Sequence, residues 1–328
     1  MKKLGWALIL AFAMILSIGP ATGAQAPQQG APPAIPPPPP GMAWAFPTAD
    51  KDQPPAEANT PRQMQGSSKT YTPSQIDDLF NPPDWYPDEH APLPSIVEHG
   101  IPKTVQACGS CHLMSGTGHP ESAGLAGLPA GYIIREMGNF KSKVRIDPAR
   151  MNAIAAGTPD DYVKAAANWF AELKPKPWFR VVETKTVPKT YVNRVRMRLP
   201  AAGGGTEPLG NRIIELPEDA DRASSRDPHS GFITYVPVGS LKKGEALVKT
   251  GGSGKTIQCA ICHGESLQGL GEVPGIGGRS ALYIGRQLYD IQTGTRAGSW
   301  DVLMKGVVAK LSEDDILSIS AYVASRSQ

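Results

Sequence analysis

Apolar positions along the chain fall into several distinct rhythms. Near the start, Leu4 to Ile18 is an almost unbroken apolar run behind Lys2 and Lys3, and the small residues Ala21, Thr22, Gly23 and Ala24 follow it. A membrane-spanning helix needs about 20 apolar residues, so this shorter run with a basic lead reads as a secretory signal over residues 1–24, with a cleavage site at Thr22-Gly23-Ala24. An uncleaved anchor is the competing reading. No second run of spanning length follows, which predicts a soluble remainder exported to the periplasm or beyond, with an N-terminal membrane tether as the variant of that reading.

Helical spacing recurs in two places. Tyr162, Ala166, Trp169, Phe170 and Leu173 form one stripe, with Thr158 as N-cap, Pro159 at the first helical position and Asp161 three residues after the cap. Ile316, Ile319 and Val323 form the other, behind Ser312 with Asp315 three residues later. Both stripes predict core. Between them, Arg180 to Glu183, Tyr191 to Leu199, Ile213 to Leu216 and Phe232 to Val236 read as short strands among proline and glycine breakers. Proline dominates residues 25–60, including Pro36 to Pro40, and predicts an extended spacer of about 3.1 Å per residue rather than a core. Residues 72–94 hold a short helix signal and then Asp84-Trp85-Tyr86-Pro87-Asp88-Glu89. Aromatics beside acids can dock a partner, but packing onto the next domain is the blander expectation.

The chain also repeats itself. Tyr132-Ile133-Ile134-Arg135 returns as Tyr283-Ile284-Gly285-Arg286, and Val97 as Val248, at an offset of 151 residues. Farther on the offset becomes 153, aligning Met151 with Met304, Asp161 with Asp314 and Trp169 with Tyr322. The repeat carries the candidate chemistry. All four cysteines fall in Cys108-Gly109-Ser110-Cys111-His112 and, 151 residues later, Cys259-Ala260-Ile261-Cys262-His263. Cys-x-x-Cys-His is the attachment signature of c-type haem: each thiol adds to one vinyl group, and the adjacent histidine lies under the iron. A Cys-x-x-Cys pair alone also suits a redox dithiol or half a zinc site. The immediate histidine, the export signal and the duplication favour haem, and no cysteine is left for a long-range disulfide. A domain of about 90 residues is marginal by itself, and a covalently tied porphyrin supplies missing core.

Each copy resembles a class I cytochrome c domain, and the pair resembles the tandem dihaem carriers. The attachment motif, the Tyr-Ile-x-Arg segment, the methionine and the terminal helix ending Ala321-Tyr322-Val323-Ala324 carry the likeness. The resemblance implies a mainly α fold: domain 1 at 95–175, domain 2 at 241–328, and a partly β linking strap at 176–240. Ahead of these come a flexible Pro-rich arm at 25–71 and an arm at 72–94 that packs on or leads into the first domain. It also implies two haem c groups with His/Met ligation, by His112 and Met151 in one copy and His263 and Met304 in the other. Met137 rivals Met151, but it aligns with Leu288 inside a helix and reads as gap-filling core. His90 and His119 stay open as alternative ligands, while His99 and His229 read as surface residues. By the same resemblance each proximal imidazole should donate to a backbone carbonyl, Pro274 in the second copy and Ala123 in the first. Tyr132, Arg135, Tyr283 and Arg286 are candidates for haem propionate contacts.

Charge narrows the partners little. The chain has 33 basic and 30 acidic side chains, and residues 1–24 hold two of the lysines and no acid. Nothing suggests a nucleic-acid footprint. Two six-coordinate irons leave no place for a small-molecule substrate, and no nucleophile or acid–base constellation stands out. The expectation is a one-electron carrier rather than an enzyme, working between redox protein partners that are themselves membrane-associated. A dihaem peroxidase-like enzyme and a fixed subunit of a larger oxidoreductase are the alternatives.

Overall fold

The computed structural model describes residues 37–54, 58–147 and 149–327. The secretory signal lies outside the described residues.

Ahead of the first copy, α1 (Pro73–Ile76) opens under a capping box in which Thr72 and Gln75 satisfy each other's backbone donors. Ile76, Trp85 and Tyr86 then form a small core of their own. The first copy runs through α2 (Ser95–Glu98), α3 (Gly109–His112), α4 (Ala130–Lys141), α5 (Met151–Gly157) and α6 (Asp160–Glu172). Ile96 and Val97 on α2 pack with Ala166, Ala167, Trp169 and Phe170 on α6. Two expectations for α6 shift. Thr158 does not cap it, because its hydroxyl donates back to the Ile154 carbonyl at 2.7 Å and closes α5 instead. Tyr162 is 37% exposed, and Val163 takes the inward place.

The linking segment is more ordered than a strap. It comprises β1 (Phe179–Glu183), β2 (Thr186–Pro188), β3 (Thr190–Val192), β4 (Arg198–Pro200), β5 (Thr206–Pro208), β6 (Ile214–Pro217), α7 (Ala220–Ser224) and β7 (Phe232–Val236). One sheet has the order β1-β7-β6, parallel between β1 and β7 and antiparallel between β7 and β6. The single strand expected at Tyr191 to Leu199 is a hairpin of β3 and β4. Asn193 breaks it: its side chain accepts from the backbone of Val195 and Met197, and Arg196 takes a positive φ of 68°.

The second copy comprises α8 (Ser240–Thr250), α9 (Ala260–His263), the two-residue strands β8 (Gly269–Leu270) and β9 (Val273–Pro274), then α10 (Ala281–Thr293), α11 (Asp301–Val308) and α12 (Glu313–Ala324). Gly244 lets α8 cross α12 closely, since a Cβ there would stand 2.0 Å from the Ser318 carbonyl oxygen. The capping box of Ser312 and Asp315 forms. Burial pushes the Asp315 carboxyl up, but Lys255, Lys243 and Ser312 outweigh it and hold the group below the usual carboxylate range. The proline-rich spacer is the largest departure from the sequence reading. Residues 40–45 form a 3-10 turn that sinks Met42, Trp44 and Ala45 into the second copy's core. Alternating Met42, Trp44 and Phe46 provide the apolar surface that the prolines around them lack.

Glu215 on β6 joins the sheet to α10. It is 1% exposed and accepts from Ser280 Oγ at 2.6 Å, Ala281 N at 2.7 Å and Thr234 Oγ1 at 3.0 Å. Burial outweighs these three donors and raises the carboxyl to about 7. A raised folded value makes the group's contribution complete below the unfolded value of 4.5, and it is lost as pH climbs through 7. Glu215→Gln should therefore flatten the fall in thermal stability between pH 5 and pH 8, by on the order of 3 kcal/mol. Parallel melting curves for the two proteins across that range would refute the titration.

Candidate haem-attachment sites

The two Cys-x-x-Cys-His segments fold into matching single turns. In each, the histidine N–H donates to the first cysteine's carbonyl at 2.9 Å, His112 to Cys108 and His263 to Cys259, which brings the thiols and the imidazole onto one short element. The next residue leaves the helix at positive φ, Leu113 at 61° and Gly264 at 80°. His112 Nδ1 lies 2.7 Å from the Ala123 carbonyl oxygen, and His263 Nδ1 lies 2.8 Å from that of Pro274. A carbonyl accepts only from a protonated nitrogen, so Nδ1 carries the proton and Nε2 keeps its lone pair. The loss of proline at Ala123 leaves the acceptor in place. Burial lowers His112 to about 4 and also lowers His263, so both rings stay neutral, the form that ligates a metal. Burial likewise raises the Cys108 thiol to about 12 and the Cys259 thiol to about 11.

Both methionines begin or enter a short helix. Met151 is the first residue of α5, where the Asp147 carboxylate accepts from the backbone of Met151 at 2.8 Å and of Arg150 at 2.5 Å. Met304 lies within α11, which starts earlier relative to its methionine, and packs against the second core. Met137 lies within α4. The alternative histidines are engaged elsewhere: His90 Nε2 is 3.2 Å from Asp84 Oδ1, and His119 Nδ1 is 3.0 Å from Glu121 Oε2.

The candidate propionate residues meet at the junction of the two copies, together with residues the sequence reading passed over. Arg145 reaches across to Tyr283 Oη at 3.2 Å and Gln287 Oε1 at 2.6 Å. Arg296 reaches back to Tyr132 Oη at 3.4 Å and Glu136 Oε2 at 3.3 Å. Backbone pairing obeys the same exchange: Ile146 N donates to Thr295 O and Ala297 N to Val144 O, each at 2.8 Å. Every pair here swaps under the 151-residue offset, so the copies pack about a local twofold axis. Extending the alignment past Arg135 and Arg286 to Arg145 and Arg296 would have found these residues. The exchange breaks at Glu136 and Gln287, which places one buried acid on one side. Burial raises the Tyr132 hydroxyl, whereas Arg145 and Arg296 pull Tyr283 below its ordinary value against its own burial.

Arg135 lies over the Trp300 ring at 3.9 Å and donates to the Glu272 carbonyl at 3.4 Å. Arg286 donates to the carbonyls of Ala45 at 2.8 Å and Pro120 at 2.6 Å. Several buried donors nevertheless lack an acceptor: Nε of Arg135 and Arg296 and the indole N–H of Trp44 and Trp169. Arg296 Nε is 3.0 Å from Asp301 Oδ1 but out of hydrogen-bond alignment. Unsatisfied buried donors call for acceptors, and haem carboxylates are a chemical match.

Two such turns, each with a neutral, oriented imidazole beside two cysteines, define a protein built to hold haem covalently, and comparison with known proteins agrees. No family model matches the chain. It is 36% identical over 76 residues to cytochrome c-554(548) of Halomonas halodenitrificans, covering 92% of that protein and 23% of this chain. It is 31% identical over 133 residues to cytochrome c4 of Stutzerimonas stutzeri, covering 63% of that protein and 37% of this chain. A third relative, the thiosulfate dehydrogenase electron acceptor of Stutzerimonas stutzeri strain A1501, is 26% identical over 71% of this chain and 84% of its own length. The chain belongs to the c-type cytochromes, among those that repeat the class I domain in tandem.

Proposed function

We propose that the protein is an exported one-electron carrier with two haem c groups. Cys108 and Cys111 hold one and Cys259 and Cys262 the other, through thioether bonds. His112 with Met151, and His263 with Met304, would hold the two irons. The observation that carries this reading is the pair of attachment turns, each with two cysteines and an imidazole whose Nδ1 is held by a backbone carbonyl. A soft sulfur donor together with an imidazole would favour ferrous iron and raise the potential. Bound haem supplies the one-electron chemistry. The chain's own part is to fix the axial ligands, bury the porphyrins, and offer Arg135, Arg296 and the two tyrosines of the junction to the propionates. The donor and acceptor are redox proteins. One relative's name describes an electron acceptor of a dehydrogenase, which suits a donor of that type here. Among the described residues no helix is long and apolar enough to cross a membrane.

Expressed with a competent maturation system, the protein should carry two haems that survive acid–acetone extraction and denaturing electrophoresis. The double substitution Cys259→Ala and Cys262→Ala should leave one. Recovery of a single haem, or none, from the unmodified chain would overturn the reading. Peroxide turnover should be negligible, and rapid reduction of peroxide would replace the carrier with an enzyme.

A further inference from the structure

The arm before the first copy and the linking module after it enclose a cavity of about 380 Å³ against the end of α6. Small-molecule sites commonly measure about 300–1,000 Å³. No attachment cysteine lines this cavity, nor does His112 or Met151, so it stands apart from the haem ligands. Trp85 and Tyr86 of the arm, Trp169 and Leu173 of α6, and Met114 give it a largely aromatic and apolar wall. The rings are held in place before any ligand arrives. Trp85 Nε1 donates to the Ser225 carbonyl at 2.7 Å, Tyr86 Oη to that of Gln65 at 2.9 Å, and His90 meets Trp169 edge-on at 5.8 Å between ring centroids.

Most of the charge around the cavity is already matched. Glu89 accepts from Lys176 at 3.3 Å and lies 3.0 Å from His229 Nε2, while His90 Nε2 lies 3.2 Å from Asp84 Oδ1. Glu172 and Lys174 oppose each other in sign at the rim, where both are exposed to water. Arg226 is the exception. It is half-buried in the cavity wall, and among the described residues its guanidinium makes no hydrogen bond, ion pair or ring contact. Asp77 and Arg150 act on it only at a distance and with opposite signs, and Cys111 lies within its electrostatic reach. A cation drawn out of water without a partner is unfavourable, and an anion in the cavity would offset that penalty.

We propose that this cavity binds a small aromatic monocarboxylate, its ring against the Trp85, Tyr86 and Trp169 wall and its carboxylate on Arg226. The wall suits a flat ring, and a planar guanidinium pairs a carboxylate through two parallel hydrogen bonds. Asp84, Glu89 and Glu172 around the cavity disfavour a second negative charge on the ligand. Occupancy has a consequence that rests on the dihaem reading above. Neutralising Arg226 removes positive charge from the neighbourhood of Cys111, and less positive surroundings favour the ferric state. The bound carboxylate therefore lowers the potential of the first haem and leaves the second unchanged. By linkage, the protein with its first haem oxidised holds the ligand more tightly.

The test titrates the full-length dihaem protein calorimetrically with sodium benzoate, sodium acetate and benzylamine. Benzoate should bind at one site, at least tenfold more tightly than either acetate, which lacks the ring, or benzylamine, which reverses the charge. Arg226→Asn should weaken benzoate about tenfold or more, the loss expected when a charge-assisted hydrogen bond goes. Asparagine suits the left-handed backbone at this position, where φ is 58°, so the variant should fold. Ala91→Trp, which fills the cavity from its exposed rim, should weaken benzoate as much without altering any charge. In a redox titration followed by haem absorbance, saturating benzoate should lower one potential of the unmodified protein and neither potential of Arg226→Asn. Haem content and visible spectrum, measured on the same samples, should match across the variants. Equal affinity for benzoate and benzylamine, or benzoate binding that survives both substitutions, would overturn the site. Benzoate binding that moves both potentials equally, or neither, would overturn its link to the first haem. Fewer than two haems in the unmodified chain would instead strike the dihaem reading, and the calorimetric result would still decide the site.

Discussion

Met304→Ala should turn a sluggish metal centre into a reactive one. With both thioethers in place, each ferric haem should be low-spin with the weak red absorption of iron–thioether bonding. Carbon monoxide and cyanide should bind slowly, because an incoming ligand must first displace sulfur. Removing the Met304 side chain removes that competitor at one iron only. Carbon monoxide should then bind within mixing time to half of the reduced haem, and the other half should behave as before. Met304→His should leave both irons low-spin but lower one potential, within the range of about 0.8 V over which axial ligands set haem potentials. The first copy gives the sharper test of assignment. Met151 heads α5 with its backbone held by Asp147, whereas Met137 lies inside α4. Met151→Ala should open the first iron, and Met137→Ala should leave the spectrum unchanged. The reverse pattern would reassign the ligand.

Much of the candidate site was legible because the repeat is long and its offset holds at 151 from Val97 to Arg145 before it becomes 153 at the methionines. Aligning the two attachment motifs also aligned Ala123 with Pro274, and both carbonyls do accept from the proximal ring. Local rules served less well where a side chain had a competing partner. Thr158 has the identity of an N-cap, but the Ile154 carbonyl lies closer to hand and takes its proton. Arg135 and Arg286 have the identity of carboxylate binders, yet they also bridge backbone carbonyls of distant segments. The local twofold contact of Arg145 and Arg296 is tertiary: nothing in either residue's neighbourhood announces it, although the shared offset does. Composition misled most at the N-terminal arm. Averaged over 36 residues, proline hides a short apolar alternation that long-range packing can use.

That alternation has an energetic consequence large enough to measure. Met42 is fully buried, Trp44 is 6% exposed, and both join the core formed by α10 and α12. Gly285 on α10 makes the seat: a Cβ there would stand 2.4 Å from the Trp44 ring. Arg286 donates to the Ala45 carbonyl at 2.8 Å, and Phe46 meets Tyr289 edge-on at 5.7 Å between ring centroids. The second copy is therefore completed by residues almost two hundred positions ahead of it, and its core remains open until that segment has docked. Trp44→Ala should cost about 3–5 kcal/mol, the usual loss for a large aromatic cut from a core. The loss should fall on the second copy, lowering its denaturation midpoint and exposing its haem band to solvent before the first copy responds. Gly285→Val should produce the same early transition from the opposite side, by filling the seat while leaving the tryptophan intact. A midpoint shift worth less than about 1 kcal/mol in Trp44→Ala would mean the turn merely rests on a surface that is stable without it.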